Sequence, residues 1–309
     1  MKIRILTILL AACILLLPVT VYAYSTTDAK DPISLTEECS LSLDYALGEV
    51  AFADVAVKLY KVATVSQDYQ YTITQDFAPV ELRLNGIKSQ SEWDTVRSTL
   101  ESYIAANNIA ATAEAVSDET GKVRFEKLET GLYYVPAVTA TDNGFCYYFA
   151  SAIVSLPNLD GEGNWNYSVA VNTKPDVRPP ASGDLEYKIL KLWQGDGEHE
   201  RPQEVTVDII KDNKVVKTVV LSAENNWNYI WYAADDGSIW TVAERDVAPG
   251  YTVTIKKSAT TFSIINSYDK NPPGPPPTGD TSNIGLYILL IGVSGIGLVL
   301  AGLQLKDKK

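Results

Sequence analysis

Apolar and polar residues alternate with a period of two along the part of the chain after residue 184. Tyr187, Ile189, Lys191 and Trp193 fall on one side of this alternation. Similar short segments follow, separated by turn residues, and they begin near Val205, Val216, Trp227, Ile239, Tyr251 and Phe262. Short strands at such regular spacing are typical of an antiparallel sandwich. We therefore predict a β-sandwich domain over residues 185–269.

Residues 32–174 have a mixed pattern that is mostly that of strands. Leu41, Leu43, Tyr45 and Leu47 would line one face of an opening strand. The further predicted strands are Val55–Val62, Tyr69–Thr74, Val123–Phe125, Leu132–Val135, Tyr147–Leu156 and Trp165–Val171. We predict a second sandwich here.

One segment of this region has helical periodicity instead. Apolar residues recur at helical spacing between Ser91 and Asn107, namely Trp93, Val96, Leu100 and Ile104. Ser89 and Glu92 form an S-x-x-E pair, which is typical of a helix start. We interpret the helix as an insertion packed on the first sandwich.

Proline and glycine cluster at two places. The cluster at residues 175–184 predicts a linker between the domains at 32–174 and 185–269. The cluster at residues 270–279 predicts a semi-rigid polyproline stalk, because each proline ring restricts φ. The fold class is therefore mainly β, with two Ig-like antiparallel sandwiches in tandem.

The first 23 residues combine Lys2 and Arg4 with a long apolar run that ends at Ala23. This arrangement is typical of a secretory signal peptide, and we predict that residues 1–23 are removed. Two alternatives stay open. The run could remain as an uncleaved anchor, or Cys13, which follows small residues, could mark a lipoprotein.

The other end of the chain predicts a membrane span. Residues 284–303 carry no charge, and residues 304–309 contain three lysines. An apolar helix of about 20 residues crosses a bilayer core, and a lysine-rich flank stays in the cytoplasm. The chain is thus expected to be exported and held in the membrane at its C-terminus.

The overall charge excludes several classes of function. The 38 acidic residues outnumber the 26 basic ones, for a net charge of −12, which argues against a nucleic-acid partner. The single histidine, His199, cannot supply a histidine-centred triad or a multi-histidine metal site. We predict no enzyme, no cofactor and no metal site.

Three polar residues of the second sandwich share strand parity with large apolar residues. Lys191, Glu244 and Asn266 are all directed toward the core by this pattern. A buried charge without a partner costs several kcal/mol, so the three residues should either meet or reach solvent. In the second case Lys191 would extend to solvent and Asn266 would cap a strand end.

If the three residues meet, a covalent reaction follows. Burial lowers the pKa of a lysine and raises that of a carboxylic acid. The neutral amine of Lys191 could then attack the side-chain carbonyl carbon of Asn266, while Glu244 polarises the oxygen and shuttles protons. Ammonia would leave, and an intramolecular isopeptide bond would remain. This is a single turnover and not enzymatic catalysis.

The C-terminal arrangement resembles the cell-wall sorting signal of Gram-positive surface proteins. It consists of Pro275-Pro276-Pro277-Thr278-Gly279, an apolar span and a basic tail. The resemblance implies that a sortase cleaves the Thr278–Gly279 bond and joins Thr278 to a peptidoglycan precursor or to another pilin subunit. Pro275 replaces the usual leucine, so the class of sortase stays open.

The second sandwich resembles the Cna B-type domain of Gram-positive adhesin stalks and pilins. The segments that carry the resemblance are Lys191-Leu192-Trp193, Arg201-Pro202, Val205–Val207, Asn226-Trp227, Trp240–Glu244, Ala248–Tyr251 and Phe262–Asn266. The resemblance implies that Lys191 and Asn266 form the cross-link and that Glu244 assists. The first sandwich has Ala137 where the acid would align and no lysine on its opening strand, so we predict no isopeptide there.

Two further features of the first sandwich bear on function. Its last strand, which ends at Lys174, resembles the pilin motif whose lysine is joined by a pilus sortase, although Asn172-Thr173 replaces Tyr-Pro. The alternative is a structural strand that ends in a solvated lysine. Cys39 and Cys146 could form a disulfide in an exported protein, or they could be two separate buried thiols.

Together these features predict a cell-wall-anchored surface protein, either a pilin subunit or an adhesin stalk. The expected partners are a sortase, the peptidoglycan precursor or another pilin subunit, and the membrane before sorting. The alternative is a ligand-binding adhesin in which the first domain recognises a host or matrix ligand and the second domain is a spacer.

Overall fold

The computed structural model describes residue 29 and residues 31–179, 183–197 and 201–268. All of them belong to one compact unit. The predicted signal peptide (1–23) with Cys13, the stalk and sorting motif (270–279) with Thr278 and Gly279, the membrane span (284–303) and the tail (304–309) lie outside these residues. Within the described ranges, no helix has both the length and the hydropathy needed to cross a membrane.

The chain is mainly β. In the N-terminal region (31–179) the strands are β1 (Cys39–Asp44), β2 (Ala46–Leu47), β3 (Val50–Ala51), β4 (Ala56–Val65), β5 (Tyr71–Ile73), β6 (Ala113–Val116), β7 (Lys122–Leu128), β8 (Gly131–Val135), β9 (Val138–Asp142), β10 (Phe145–Phe149), β11 (Ala152–Leu156), β12 (Asn158–Leu159), β13 (Trp165–Asn166), β14 (Ser168–Asn172) and β15 (Asp176–Arg178). In the C-terminal region (183–268) they are β16 (Asp184–Gln194), β17 (Glu204–Lys211), β18 (Lys214–Ser222), β19 (Asn228–Ala234), β20 (Trp240–Arg245), β21 (Tyr251–Ser258) and β22 (Thr261–Tyr268). Short 3₁₀ helices occur at Gln75–Val80 and Ala223–Asn225.

The C-terminal region is the predicted sandwich, and the seven predicted strands are confirmed. One sheet has the strand order β19-β16-β22-β21, and the other has the order β18-β17-β20. Their inner faces enclose a core that includes Ile189, Val207, Val242 and Phe262. The first strand, β16, runs parallel to the last strand, β22, and the two strands are neighbours in the middle of a sheet.

The N-terminal region repeats the parallel pairing of its first and last long strands. β1 lies between β14, to which it is parallel, and β7, to which it is antiparallel. A larger sheet has the order β11-β8-β4-β5, with β6 also paired to β4. A third sheet has the order β15-β10-β9. Apolar side chains from β1, β4, β7 and β8 fill the core between these sheets.

The helical prediction is confirmed. Helix α1 covers Gln90–Asn107, its N-cap is Ser89, and the side chains of Ser89 and Glu92 form the predicted capping box. Its apolar residues, including Trp93 and Leu100, pack in a core with strands of the N-terminal region. The opposite side of the helix packs on the C-terminal region, a contact that the sequence analysis did not predict.

Several predicted boundaries differ from the structure. The opening strand predicted through Leu47 ends at Asp44, and the strand predicted at Trp165–Val171 is β13 and β14, which belong to different sheets. The single strand predicted at 147–156 is two strands, β10 and β11, which belong to different sheets and are separated at Ala150-Ser151. An apolar pattern that continues through such a sheet change hides the break. Part of the predicted linker forms β15, which pairs with β10 of the N-terminal region.

Candidate functional site

The polar residues predicted to face the core of the C-terminal sandwich do so. Lys191 lies on β16 between Ile189 and Trp193, and its side chain has no exposed surface. Asn266 lies on the neighbouring β22 and is fully buried. In the parallel ladder, Trp193 is opposite Asn266, so the amide is two residues along from the lysine. Lys191 therefore does not extend to solvent.

The carboxylate between them comes from the other sheet. Glu244 lies near the end of β20, opposite Val207 of β17, and its side chain is 1% exposed. Lys191 Nζ is 3.3 Å from Glu244 Oε2, and Asn266 Nδ2 donates a hydrogen bond of 2.8 Å to Glu244 Oε1. The structure thus brings the three predicted residues together, with the carboxylate as the bridge.

The lysine is held in a largely apolar environment. Its Nζ lies 4.0 Å from the ring centroid of Trp193 and 3.4 Å from the carbonyl oxygen of Leu192. Burial lowers the pKa of Lys191 from its ordinary value to about 8, while the charge of Glu244 opposes this effect. About a tenth of the amine is therefore neutral, and nucleophilic, at pH 7.

The contacts of Glu244 correct one detail of the predicted chemistry. The carboxylate contacts the amide nitrogen of Asn266, whereas the sequence analysis expected it to polarise the oxygen. Asn266 Oδ1 is buried and accepts no hydrogen bond within the described part of the chain. Glu244 therefore contacts both the amine of Lys191 and the amide nitrogen of Asn266.

Trp193 contributes to this site, a role that was not predicted from the sequence. Its ring covers the ammonium group of Lys191 and also makes edge-to-face contacts with Trp227 and Tyr251. These neighbours fix the ring in place. The position of Trp193 beside the lysine could have been predicted from the sequence, because residues two positions apart in a strand lie on the same face.

The corresponding place in the N-terminal region is apolar. Leu41 of β1 is opposite Val169 of the parallel β14, and Leu43 is opposite Val171. Both leucines are buried. Ala137, which aligns with the carboxylate position, is buried just beyond β8. At the positions that correspond to the lysine, the amide and the acid, this region has only hydrocarbon side chains.

Lys174 lies two residues beyond the end of β14 and is exposed. The preceding residue, Thr173, is buried and donates a hydrogen bond from its hydroxyl to the carbonyl oxygen of Asp44, which attaches the end of this segment to β1. The lysine is therefore presented to solvent by a backbone that is tied to the sheet.

The disulfide considered from the sequence is not formed, and of the two alternatives the structure has the separate thiols. Cys39 and Cys146 are both buried and free. Cys39 faces the core with β1, whereas the sulfur of Cys146 packs against Gly237 of the C-terminal region. Burial raises the pKa of Cys39 to about 11 and also raises that of Cys146. The two strands belong to different sheets, so the sequence could not show this separation.

Comparison with known proteins supports the reading of the C-terminal region. Residues 187–267 match the family model of the Cna protein B-type domain. A collagen adhesin of Staphylococcus aureus is 25% identical over 120 residues, which covers 36% of this chain and 10% of the adhesin. The chain therefore spans about a tenth of the length of this curated relative.

Comparison with solved structures matches this chain to a pilin and to a repeat unit of a collagen-binding protein, at low identity and low TM-score. The major pilin SpaD of Corynebacterium diphtheriae has 16% identity and a TM-score of 0.30, with 76% of this chain and 65% of the pilin covered. A single B repeat unit of the collagen-binding surface protein of S. aureus has 13% identity and a TM-score of 0.26, with 75% and 98% covered. Superpositions at this level do not establish a common fold over the whole chain.

Proposed function

We propose that this chain is a structural protein of the Gram-positive cell surface, a pilin subunit or adhesin stalk. In this proposal an isopeptide bond between Lys191 and Asn266 strengthens the C-terminal sandwich. The observation that carries the proposal is the buried contact of Glu244 with both the amine and the amide. The Cna B-type match and the collagen adhesin relative support the same class of protein.

The reaction follows from the contacts of the three side chains. The neutral amine of Lys191 attacks Cγ of Asn266, Nζ loses a proton, and the bond from Cγ to Nδ2 breaks. Glu244 accepts the proton from Nζ and delivers a proton to Nδ2, so ammonia leaves and the carboxylate is restored. One amide bond then replaces the side-chain amide of Asn266, and no external reagent is consumed.

The position of this bond suits a mechanical role. Lys191 and Asn266 lie on the first and last strands of the C-terminal region, which are adjacent and parallel. A covalent bond between them would carry a load that otherwise pulls the ladder of hydrogen bonds apart. The proposed attachment to the cell wall is based on the sorting signal in the sequence. A sortase would cleave this signal between Thr278 and Gly279.

Intact-mass measurement tests the bond directly. We expect the folded protein to be lighter than its sequence by one ammonia, about 17 Da from the stoichiometry of amide exchange. The variant Glu244→Ala should regain this mass, because the proton shuttle is removed. Lys188→Ala changes a lysine of the same strand with the other parity, and it should keep the loss.

The outcome that excludes the bond is equally simple. A wild-type mass equal to that of the uncross-linked sequence would refute the reaction. Peptide mapping adds a second condition, since the linked peptide must contain both Lys191 and Asn266. A mass loss that maps to other residues would refute this assignment even though the total mass agrees.

Lys174 distinguishes a polymerising pilin from a single anchored stalk. Its exposure and its resemblance to the pilin lysine support the polymerising form. We expect high-mass ladders on denaturing gels when the chain is expressed with a pilus sortase, and the loss of these ladders in Lys174→Ala. Lys122→Ala, another exposed lysine of this region, is the control. A single band from the unmodified chain would contradict polymerisation.

A further inference from the structure

A cleft of about 550 Å³ opens between the N-terminal and C-terminal regions. Its walls are the segments 52–56 and 136–141 of the N-terminal region, together with helix α1 and the turn at Asp212. None of these residues takes part in the lysine, glutamate and asparagine site. The cleft is therefore separate from that site.

The charges that line the cleft have one sign. Three carboxylates, those of Asp54, Glu101 and Asp212, lie among the lining residues, and the described lining contains no lysine, arginine or histidine. The remainder of the wall is mostly apolar, with Phe52, Val138 and Ile239 among its members. An apolar wall with an acidic lining fits a cation carried on an aliphatic chain.

Glu101 supplies the independent observation. Its Oε1 atom is buried and accepts no hydrogen bond in the described part of the chain. Burial raises the pKa of this carboxyl, and the nearby charges of Lys257 and Arg97 act in the opposite direction. A buried carboxylate oxygen without a donor is unfavourable, so a bound cation would remove a cost that the free protein carries.

The two neighbouring cations are engaged with other groups. Lys257 Nζ donates a hydrogen bond of 2.9 Å to the carbonyl oxygen of Trp240. Arg97 donates to Asp94 Oδ1 at 2.9 Å and to the carbonyl oxygen of Ser151 at 3.2 Å. Neither the guanidinium of Arg97 nor the ammonium of Lys257 donates a hydrogen bond to Glu101 Oε1. Glu101 Oε1 thus lines the cleft without a hydrogen-bond donor among the described residues.

A strand edge indicates the form of the ligand. β9 is the last strand of its sheet in the described chain, and its residues 138–141 line the cleft. The free edge of a strand presents backbone donors and acceptors that an extended peptide can pair with. We propose that this cleft binds an extended peptide segment and that it takes up a lysine or arginine side chain of that segment beside Glu101.

Ligand-observed saturation-transfer NMR on the full chain in detergent micelles tests this proposal. The probes are the acetylated, amidated tripeptide Val-Lys-Val and a matched tripeptide with norleucine in place of lysine. We expect the lysine peptide to bind at least about fivefold more tightly, because only its ammonium can donate to a carboxylate. Equal binding of the two peptides, or no binding of either, would overturn the proposal.

Variants locate the binding site. Glu101→Gln keeps the shape of the side chain and removes its charge, and it should weaken lysine-peptide binding at least about fivefold. Glu119→Gln removes an exposed carboxylate outside the cleft and should leave binding unchanged. Unchanged affinity in Glu101→Gln would place the peptide elsewhere and refute the site.

A second variant serves if Glu101→Gln does not fold, as judged by circular dichroism. Thr139→Lys introduces an ammonium at an exposed position of β9 that lines the cleft. It should abolish binding of the lysine peptide by repulsion and by direct competition for the carboxylates. Binding that persists in a folded Thr139→Lys protein would contradict the proposal.

Discussion

The two regions of the molecule have the same strand arrangement at the place where they differ most. In each, the first long strand lies parallel to the last one, β1 beside β14 and β16 beside β22. The N-terminal pair buries Leu41 and Leu43, whereas the C-terminal pair buries Lys191 and Asn266. Topology thus provides the position, and the side chains decide whether it holds an apolar contact or a buried polar cluster.

The difference depends on a third residue from the facing sheet. A buried lysine is tolerated in the C-terminal region because Glu244 is within 3.3 Å of its Nζ. The aligned position in the N-terminal region is Ala137, which offers no charge. An ammonium buried there would be unpaired, which costs several kcal/mol. A buried lysine at this place therefore requires the acid as its partner. The N-terminal region has neither residue at the corresponding positions.

The largest expected effect is on the stability of the C-terminal region. Lys191→Met keeps the length of the side chain but removes the amine, so the proposed bond cannot form. The bond closes a loop of roughly 75 residues. By analogy with a disulfide of that loop length, its loss should lower the free energy of unfolding by about 4 kcal/mol, and the buried Glu244 left without its partner adds to this loss. Urea unfolding measures this change.

The matched control is Lys188→Met on the same strand, which should change the free energy of unfolding by about 0.5 kcal/mol or less. If Lys191→Met were as stable as the unmodified protein, the cross-link would make no contribution to folding. The two regions would then differ only in composition and not in how they resist unfolding.

Leu41→Lys would introduce into β1 of the N-terminal region a buried lysine like Lys191 of the C-terminal region. Leu41 is fully buried, and the aligned acid position holds alanine, so the new ammonium has no partner. We expect a loss of about 3 kcal/mol or more in thermal or urea unfolding. Leu41→Met, which conserves volume, should lose less than about 1.5 kcal/mol. Equal losses in the two variants would show that charge is not the deciding factor.

A smaller change in the free energy of unfolding is expected when the contact between the two regions is weakened. Thr99 of α1 accepts a hydrogen bond of 2.9 Å at Oγ1 from the backbone N–H of Ile255 on β21. Thr99→Val removes this acceptor and leaves a buried N–H unpaired, at a cost of about 1–3 kcal/mol.

Thr95→Val is the control for Thr99→Val. It removes a hydroxyl that donates within the helix to the carbonyl oxygen of Ser91, in an exposed setting, and it should have little effect on unfolding. If both variants unfolded at the same denaturant concentration, the hydrogen bond to β21 would not stabilise the contact between the regions.

The pH dependence of cross-linking gives the smallest effect. In the proposed reaction only the neutral amine of Lys191 is a nucleophile, and burial lowers the pKa of this amine to about 8. Below this value each pH unit should raise the rate about tenfold, which is about 1.4 kcal/mol, and above it the rate should level off. Freshly synthesised chains, quenched at intervals and weighed by mass spectrometry, give the rate. A rate that is independent of pH between about 6 and 8 would contradict the role of a neutral amine.

Much of the fold could be predicted because its signals are local. The period of two in the C-terminal region depends only on successive side chains, and all seven strands were found from it. The capping box of Ser89 and Glu92 lies within one turn, so the start of α1 could also be predicted. The sheet change at Ala150-Ser151 could not, because the pattern shows burial and not the identity of the sheet.

For the site, the sequence by itself determined which side chains point inward, since alternation in a strand assigns Lys191, Glu244 and Asn266 to the core face. Only the tertiary structure decided that the carboxylate contacts the amide nitrogen, that Cys39 and Cys146 stay apart, and that α1 packs on both regions. The physical reason is the range of each interaction. Parity is set between neighbouring residues of one strand, whereas these contacts depend on how separate strands and sheets are brought together.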